Sequence, residues 1–353
     1  MTPMLQTSAA RFGCCAIEVL VELAATRNWR RVWVVADRHA LPGVAGLVPS
    51  RLDLWCAPVA EPHNPIAAVI AAITEAPADL PDAVVGIGGG SALDAAKAML
   101  AAAMTGARPS NAAELRALAG ILTGAAPVRR PTFLVIPSTF ATAAFTPNAG
   151  ISVAGGKLIL RGPVLRADLI LGDGTVLLAG GEPILASAFG PLNHCIEAGG
   201  ASRQADPLLR GLLDTAAQII LACLEEFVAR KADQSDALRL LGASWMASLG
   251  VQAARLGAGH AIPHVLGATA GIPHAHSSAI MVLDRLRRDG DPREERVRAV
   301  MHHLRLPTGL NGIGLRPDAV QTLNSALASH PLFAADIAAG HEQSVQDCLA
   351  RLA

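Results

Sequence analysis

The sequence predicts a two-part α/β protein: an α/β domain over residues 1–176 with a parallel sheet, followed by an all-α domain over residues 177–353. Three observations predict it. Short apolar runs alternate with helical patterns through the first half, a glycine-rich turn joins one such run to a helix, and the strand signal stops near Pro183. A length of 353 residues also exceeds what one core usually organises, at about 150 residues per domain.

Taken in order, residues 16–25 and 65–74 carry apolar side chains at helical spacing, while RVWVVA (31–36), AVVGIG (83–88) and TFLVIP (132–137) read as strands. A helix over 92–104 follows the glycines. Ala- and Leu-rich stretches over 208–230 and 235–256 then predict long helices. The turn at Asp173 to Thr175 and the segment Gly180 to Pro183 mark the boundary between the two parts.

Composition excludes several classes. Apolar residues make up 52% and charged residues 16%, which rules out a disordered or coiled-coil chain. Lys plus Arg equals Asp plus Glu at 29 each, and there is no Tyr, so the electrostatic and stacking footprint of a nucleic-acid binder is missing. No basic run suits a membrane surface, no window reaches about 18 apolar residues, and the N-terminus lacks the pattern of an export signal. We therefore expect a cytoplasmic protein whose partner is a small molecule. Cys14, Cys15, Cys56, Cys195, Cys223 and Cys348 lack CxxC spacing and read as reduced thiols.

The glycine turn Gly86 to Ser91 (GIGGGS) follows an apolar strand. Its amides and the helix N-terminus behind it suit an anion such as a phosphate. Ser91 and Asp94 also fit a capping box, which would satisfy the first helical turn without a ligand. Three consecutive glycines are not explained that way, although the spacing is not GxGxxG. Asp37, ending the previous strand, could accept from a ribose hydroxyl, whereas Arg38 and His39 could meet a 2′-phosphate.

Four histidines, His260, His264, His274 and His276, crowd one short segment of the second half. His260 and His264 share a helix face; the turn at Gly271 and Pro273 brings His274 back; Pro263 interrupts the helix and is expected to bend it. His194 and Glu197 share a face of another helix. Converging imidazoles suit either a divalent metal or acid–base work near neutral pH.

Together these pieces resemble the iron-containing alcohol dehydrogenase superfamily, nearest in pattern to its maleylacetate reductases. The likeness rests on Arg11-Phe12-Gly13, on EPHNP at Glu61 to Pro65, on GGGSALDAAK at Gly88 to Lys97, and on HAIPHVLG followed by PHAH. It implies an N-terminal dinucleotide-binding domain and a helical domain, with NAD(H) or NADP(H) between them and a homodimeric assembly; Asp37 inclines the choice to NAD. Carried over by position, Asp37, Asn64, Gly88, Gly89, Gly90, Ser91, Asp94, Thr139 and Thr142 would bind the cofactor. Lys157, one of three lysines with Lys97 and Lys231, would lie at the reaction centre. His194, His260 and His274 fall on metal-ligand positions, and His264 falls beside substrate and nicotinamide.

One departure stands out. Metal-binding members carry Asp four residues before the position of His194, and here that residue is Gly190. Maleylacetate reductases lack it too and work without metal, so the resemblance implies metal-free chemistry. Were a metal held by the three histidines and water, losing the carboxylate would favour zinc over iron. The implied reaction is hydride transfer to a carbonyl or activated alkene. Lys157 and a protonated imidazole would meet the developing oxyanion, with His264 as general acid supported by His260 or His274. Two other readings follow from the same superfamily. One is an NAD-using lyase or cyclase of the dehydroquinate synthase type, with Arg161, Arg166 and Arg255 as its cations. The other is a non-catalytic homologue, suggested by Gly190 and by Ala143–Ala144 where the reductases carry Ser-Glu.

Overall fold

The computed structural model describes residues 7–37, 52–57, 62–122, 130–153, 156–200, 206–230, 232–254, 256–315 and 317–353. Arg38, His39, Glu61, Lys231 and Arg255 lie outside the described residues.

Strands β1 (Ala9–Phe12), β2 (Arg31–Ala36), β3 (Asp53–Cys56), β4 (Ala83–Gly88) and β5 (Thr132–Pro137) come first, and β6 (Asn148–Val153) and β7 (Gly156–Arg161) form a separate antiparallel hairpin. With β8 (Leu169–Gly172), the others build one parallel sheet in the order β1-β8-β5-β4-β2-β3. The apolar runs β2, β4 and β5 are buried almost end to end, as a sheet covered on both faces requires. Between β2 and β4 the chain changes direction: one connection leads outward to β3, the other to β5. Such a switch opens a crevice at the carboxyl ends of the strands. There the register Ala36↔Ile87 sets Asp37 beside Gly88, and the Asp37 amide donates to the Ile87 carbonyl at 3.1 Å.

Helices α1 (Ala16–Thr26), α2 (Ile66–Glu75), α3 (Gly90–Thr105) and α4 (Ala112–Leu122) accompany the sheet. After β8 the described residues contain only helices: α5 (Gly174–Leu178), α6 (Phe189–Gly199), α7 (Pro207–Ala229), α8 (Gln234–Ala253), α9 (Ala258–Ala270), α10 (His274–Asp289), α11 (Arg293–His303), α12 (Pro317–Ala328), α13 (Pro331–Ala338) and α14 (Val345–Leu352), with short 3₁₀ turns. Asp173 fastens the junction. Its Oδ1 accepts from the Thr175 and Val176 amides to cap α5, and its Oδ2 accepts from the Ala16 amide that opens α1.

One hydrophobic core runs from the sheet through α3 into α6, α7, α8 and α10, so the two halves share their packing. Alanines on α3 at Ala92, Ala95, Ala96 and Ala98 allow that helix to be buried nearly all round. A second cluster seats α1 on the opposite sheet face, and a third joins α9, α10, α12, α13 and α14. No helix among the described residues is long and apolar enough to cross a membrane.

Candidate active site

The glycine turn is shaped by what surrounds it. At Gly88 φ is +139°, and a Cβ there would lie 2.5 Å from Asp37 Oδ2 and 2.9 Å from Ala92 Cβ, so only glycine fits. Asp37 Oδ2 accepts from the Gly89 amide at 3.3 Å and from the Ser138 hydroxyl at 3.2 Å, which holds its carboxylate against the turn. Thr139 crowds Gly89, with Cγ2 3.0 Å from a would-be Cβ.

The capping box expected from Ser91 and Asp94 does not form. Helix α3 begins at Gly90 with Gly89 as its N-cap and no side-chain cap, so Ser91 sits inside the helix instead of ahead of it. Ser91 Oγ accepts from the His63 amide at 3.1 Å. Asp94 accepts from Lys97 Nζ at 3.1 Å and from the Gly150 amide at 2.9 Å, which ties α3 to β6. Lys97, fully buried, also donates to the carbonyls of Ala143 and Asn148 at 2.7 and 2.6 Å. Asn64 is buried with φ +51°, and its amide donates to the Gly150 carbonyl at 3.4 Å. Asp94 and Asn64, both placed at the cofactor from sequence, therefore also brace the β6–β7 hairpin that carries Lys157.

The histidines form a row. His194 Nε2 lies 3.2 Å from His260 Nδ1, and ring centroids follow at 5.1 Å (His194–His260), 4.2 Å (His260–His264) and 5.4 Å (His264–His274). Thr142, on the 3₁₀ turn after β5, places Oγ1 3.3 Å from His194 Nδ1 and so links the row to the nucleotide half. Helix α9 runs through Pro263, whose missing N–H would have bonded the Gly259 carbonyl; Asn193 Nδ2 fills that place at 2.7 Å. Glu197 Oε1 accepts from the Gly257 and Gly259 amides at 3.0 and 2.9 Å, and Asp336 Oδ2 accepts from the Ala258 amide at 2.6 Å. Two carboxylates thus pin the N-terminus of the helix that carries His260 and His264.

Burial sets the charge state of the row. It pulls His194 and His274 down to about 3, helped by the positive charge of His274 on His194 and of Lys157 on His274. His260 and His264 are likewise held well below the ordinary histidine value, first by burial and then by their cationic neighbours. The imidazoles are therefore neutral N–H donors at neutral pH, unlike the protonated imidazole expected from sequence. Burial lowers Lys157 as well, against the pull of Asp94. Lys157 and His264 make no hydrogen bond or ion pair with any described residue.

Sequence reasoning missed His63, which the structure sets against α9: a Cβ on Gly267 would come within 3.2 Å of its Nδ1. The only signal was its place inside EPHNP. His276 is half-buried, apart from the row's ring contacts. A separate cavity of about 400 Å³, lined by Leu310, Leu315, Leu323, Asn324 and Leu349 among others, has no ionisable side chain and offers no such chemistry.

Comparison with known proteins matches the model of the iron-containing alcohol dehydrogenases to residues 7–174 and that of the C-terminal part of the Fe-containing alcohol dehydrogenase family to residues 185–343. The chain belongs to the iron-containing alcohol dehydrogenase family. It is 31% identical to the probable alcohol dehydrogenase EutG of Escherichia coli (strain K12), over 73% of this chain and 66% of that protein. It is 26% identical to maleylacetate reductase 1 of Rhodococcus opacus, over 62% of this chain and 54% of that one. The match thus spans less than two thirds of either curated relative. The sulfoacetaldehyde reductase of Bifidobacterium kashiwanohense, solved in complex with NAD+, shares the fold with a TM-score of 0.77 at 17% identity, covering 95% of this chain and 94% of its own.

The family's name implies iron, but the residues as arranged do not fit it. Among the described residues no three His, Cys, Asp or Glu side chains are grouped to hold an ion. His194 and His260 turn nitrogens toward each other instead of toward a common centre. Gly190 faces His274, its would-be Cβ 4.0 Å from His274 Cδ2, so no carboxylate enters from that side. Imidazoles alone could ligate such an ion, but as arranged these do not converge on one point.

Proposed function

We propose that the protein is an NAD(P)H-dependent reductase that transfers hydride to the carbonyl or activated alkene of a small substrate without a divalent metal. The observation that carries this reading is the meeting of the glycine turn with the imidazole row, joined through Thr142 and His194 on one side and His63 and Gly267 on the other. Gly88 to Ser91, at the carboxyl end of β4 and the uncapped start of α3, would hold the pyrophosphate. Asp37 at the end of β2 disfavours a 2′-phosphate beside it, which supports NAD over NADP.

The nicotinamide, when bound, supplies the hydride. The chain's own residues supply charge and position. Lys157, half-buried and with no hydrogen-bond or ion-pair partner among the described residues, would stabilise and protonate the developing oxyanion. His264, likewise without a hydrogen bond to a described residue, would donate its neutral N–H to the same oxygen, while the His194–His260 hydrogen bond holds the row in place. Apart from other histidines, which are neutral at neutral pH, the groups whose charge acts on the four imidazoles are basic: Lys157 and Arg161. Such surroundings favour an oxygen that is gaining negative charge.

Titration with NADH and NADPH, followed by turnover of 4-deuterated NADH with a carbonyl panel, tests the reading. We expect tighter NADH binding and deuterium in the product alcohol. Bound NAD that is regenerated in each turnover would instead indicate a lyase or cyclase. Neither binding nor turnover would mark a homologue without chemistry.

A further inference from the structure

The face of α9 that carries His260 and His264 continues, one turn on, to Gly267. There the helix offers no side chain of its own. The ring that fills the place comes from the other half of the molecule: His63 packs on Gly267, its Nδ1 and Cε1 3.2 and 3.4 Å from where a Cβ would stand. Its position is held from three sides. The His63 amide donates to Ser91 Oγ of the glycine turn at 3.1 Å, the Ser152 hydroxyl of β6 donates to the His63 carbonyl at 2.6 Å, and the ring meets α9. Its backbone is left-handed, φ +64°, and is followed by Asn64 at φ +51°; two such non-glycine residues in a row persist only where their surroundings impose them. The half-buried ring lies within electrostatic reach of both Lys157 and His274.

Resting on the reductase reading above, we infer that His63, seated on Gly267, is a specificity-determining residue: it forms the wall that limits how long a substrate fits beside Lys157 and His264. The glycine at 267 is what admits this ring from the nucleotide half.

The test is the ratio of kcat/KM for octanal to that for propanal, measured with NADH in wild type, His63→Asn and Gly267→Ala. Asparagine tolerates the left-handed backbone and leaves both main-chain hydrogen bonds possible, so the fold has a conservative variant. We expect His63→Asn to raise the octanal-to-propanal ratio about tenfold or more, the range one or more methylenes command in such a pocket. NADH affinity should stay within about twofold of wild type, since the glycine turn is untouched. Gly267→Ala, which presses on the same ring, should also move the ratio, and the double variant should be non-additive with His63→Asn. A ratio unchanged in both variants, or an equal loss for every aldehyde together with weakened NADH binding, would overturn the inference and leave the reductase reading standing. No hydride transfer to any carbonyl by the wild type would overturn both.

Discussion

Lys157 and His264 differ from Asp94, Lys97, Asn64, Glu197 and Asn193 in making no hydrogen bond or ion pair with a described residue, whereas those five are all held in hydrogen bonds. Groups left open at a buried junction are the ones a substrate can meet. We predict that His264→Ala slows turnover by about 10²- to 10⁴-fold with NADH affinity nearly unchanged, and that Lys157→Met does the same; steady-state kinetics with fluorescence titration of NADH measures both. Gly190 invites the opposite experiment. Gly190→Asp sets a carboxylate toward His274, and we predict that it gains stoichiometric zinc or iron by elemental analysis where wild type holds none. A metal-free Gly190→Asp protein would show that the histidine row, not the missing acid, decides against the ion.

At the scale of elements, the glycine turn depends on the absence of one atom. Gly88→Ala would drive a Cβ into the Asp37 carboxylate at a backbone angle that L-residues rarely adopt, and we predict loss of NADH binding in a titration while circular dichroism still reports a folded chain. Much of this was legible beforehand. β2, β4 and β5 are unbroken apolar runs, and α3 follows its glycines directly, so their pattern alone located them. β1 and β3 were not legible, because four residues containing Arg11 or Asp53 give no run to read. The β6–β7 hairpin hid for a related reason: Ser152 and Lys157 interrupt its apolar positions beside Gly150 and Gly156. The row of His194, His260, His264 and His274 could be assembled from spacing and resemblance. His63 could not, since nothing in local spacing ties it to a glycine on a distant helix. The capping box at Ser91 failed because helix α3 starts one residue before it.

Across the whole molecule, a row of imidazoles at the junction of the two halves, His194 buried and His260, His264 and His274 half-buried, links stability to pH. His194 and His274 titrate at about 3 when folded and near the ordinary 6.5 when unfolded, so below 6.5 the unfolded chain binds more protons. Stability is therefore full above 6.5 and declines progressively as pH falls toward 3. Thermal melts across that interval should show Tm falling with acidification, and a flat Tm would mean the row is hydrated or already charged. The same junction is the centre of the functional account, in which a nicotinamide on the glycine turn faces neutral imidazoles and Lys157 with no ion between them. The measurement that bears on it most directly is single-turnover NADH oxidation by protein stripped with a chelator and verified metal-free, mixed with a reactive carbonyl compound. The account predicts a full-amplitude absorbance decay at the untreated rate, unchanged by added zinc or iron. A decay that vanishes on stripping and returns only with one of those ions would contradict it.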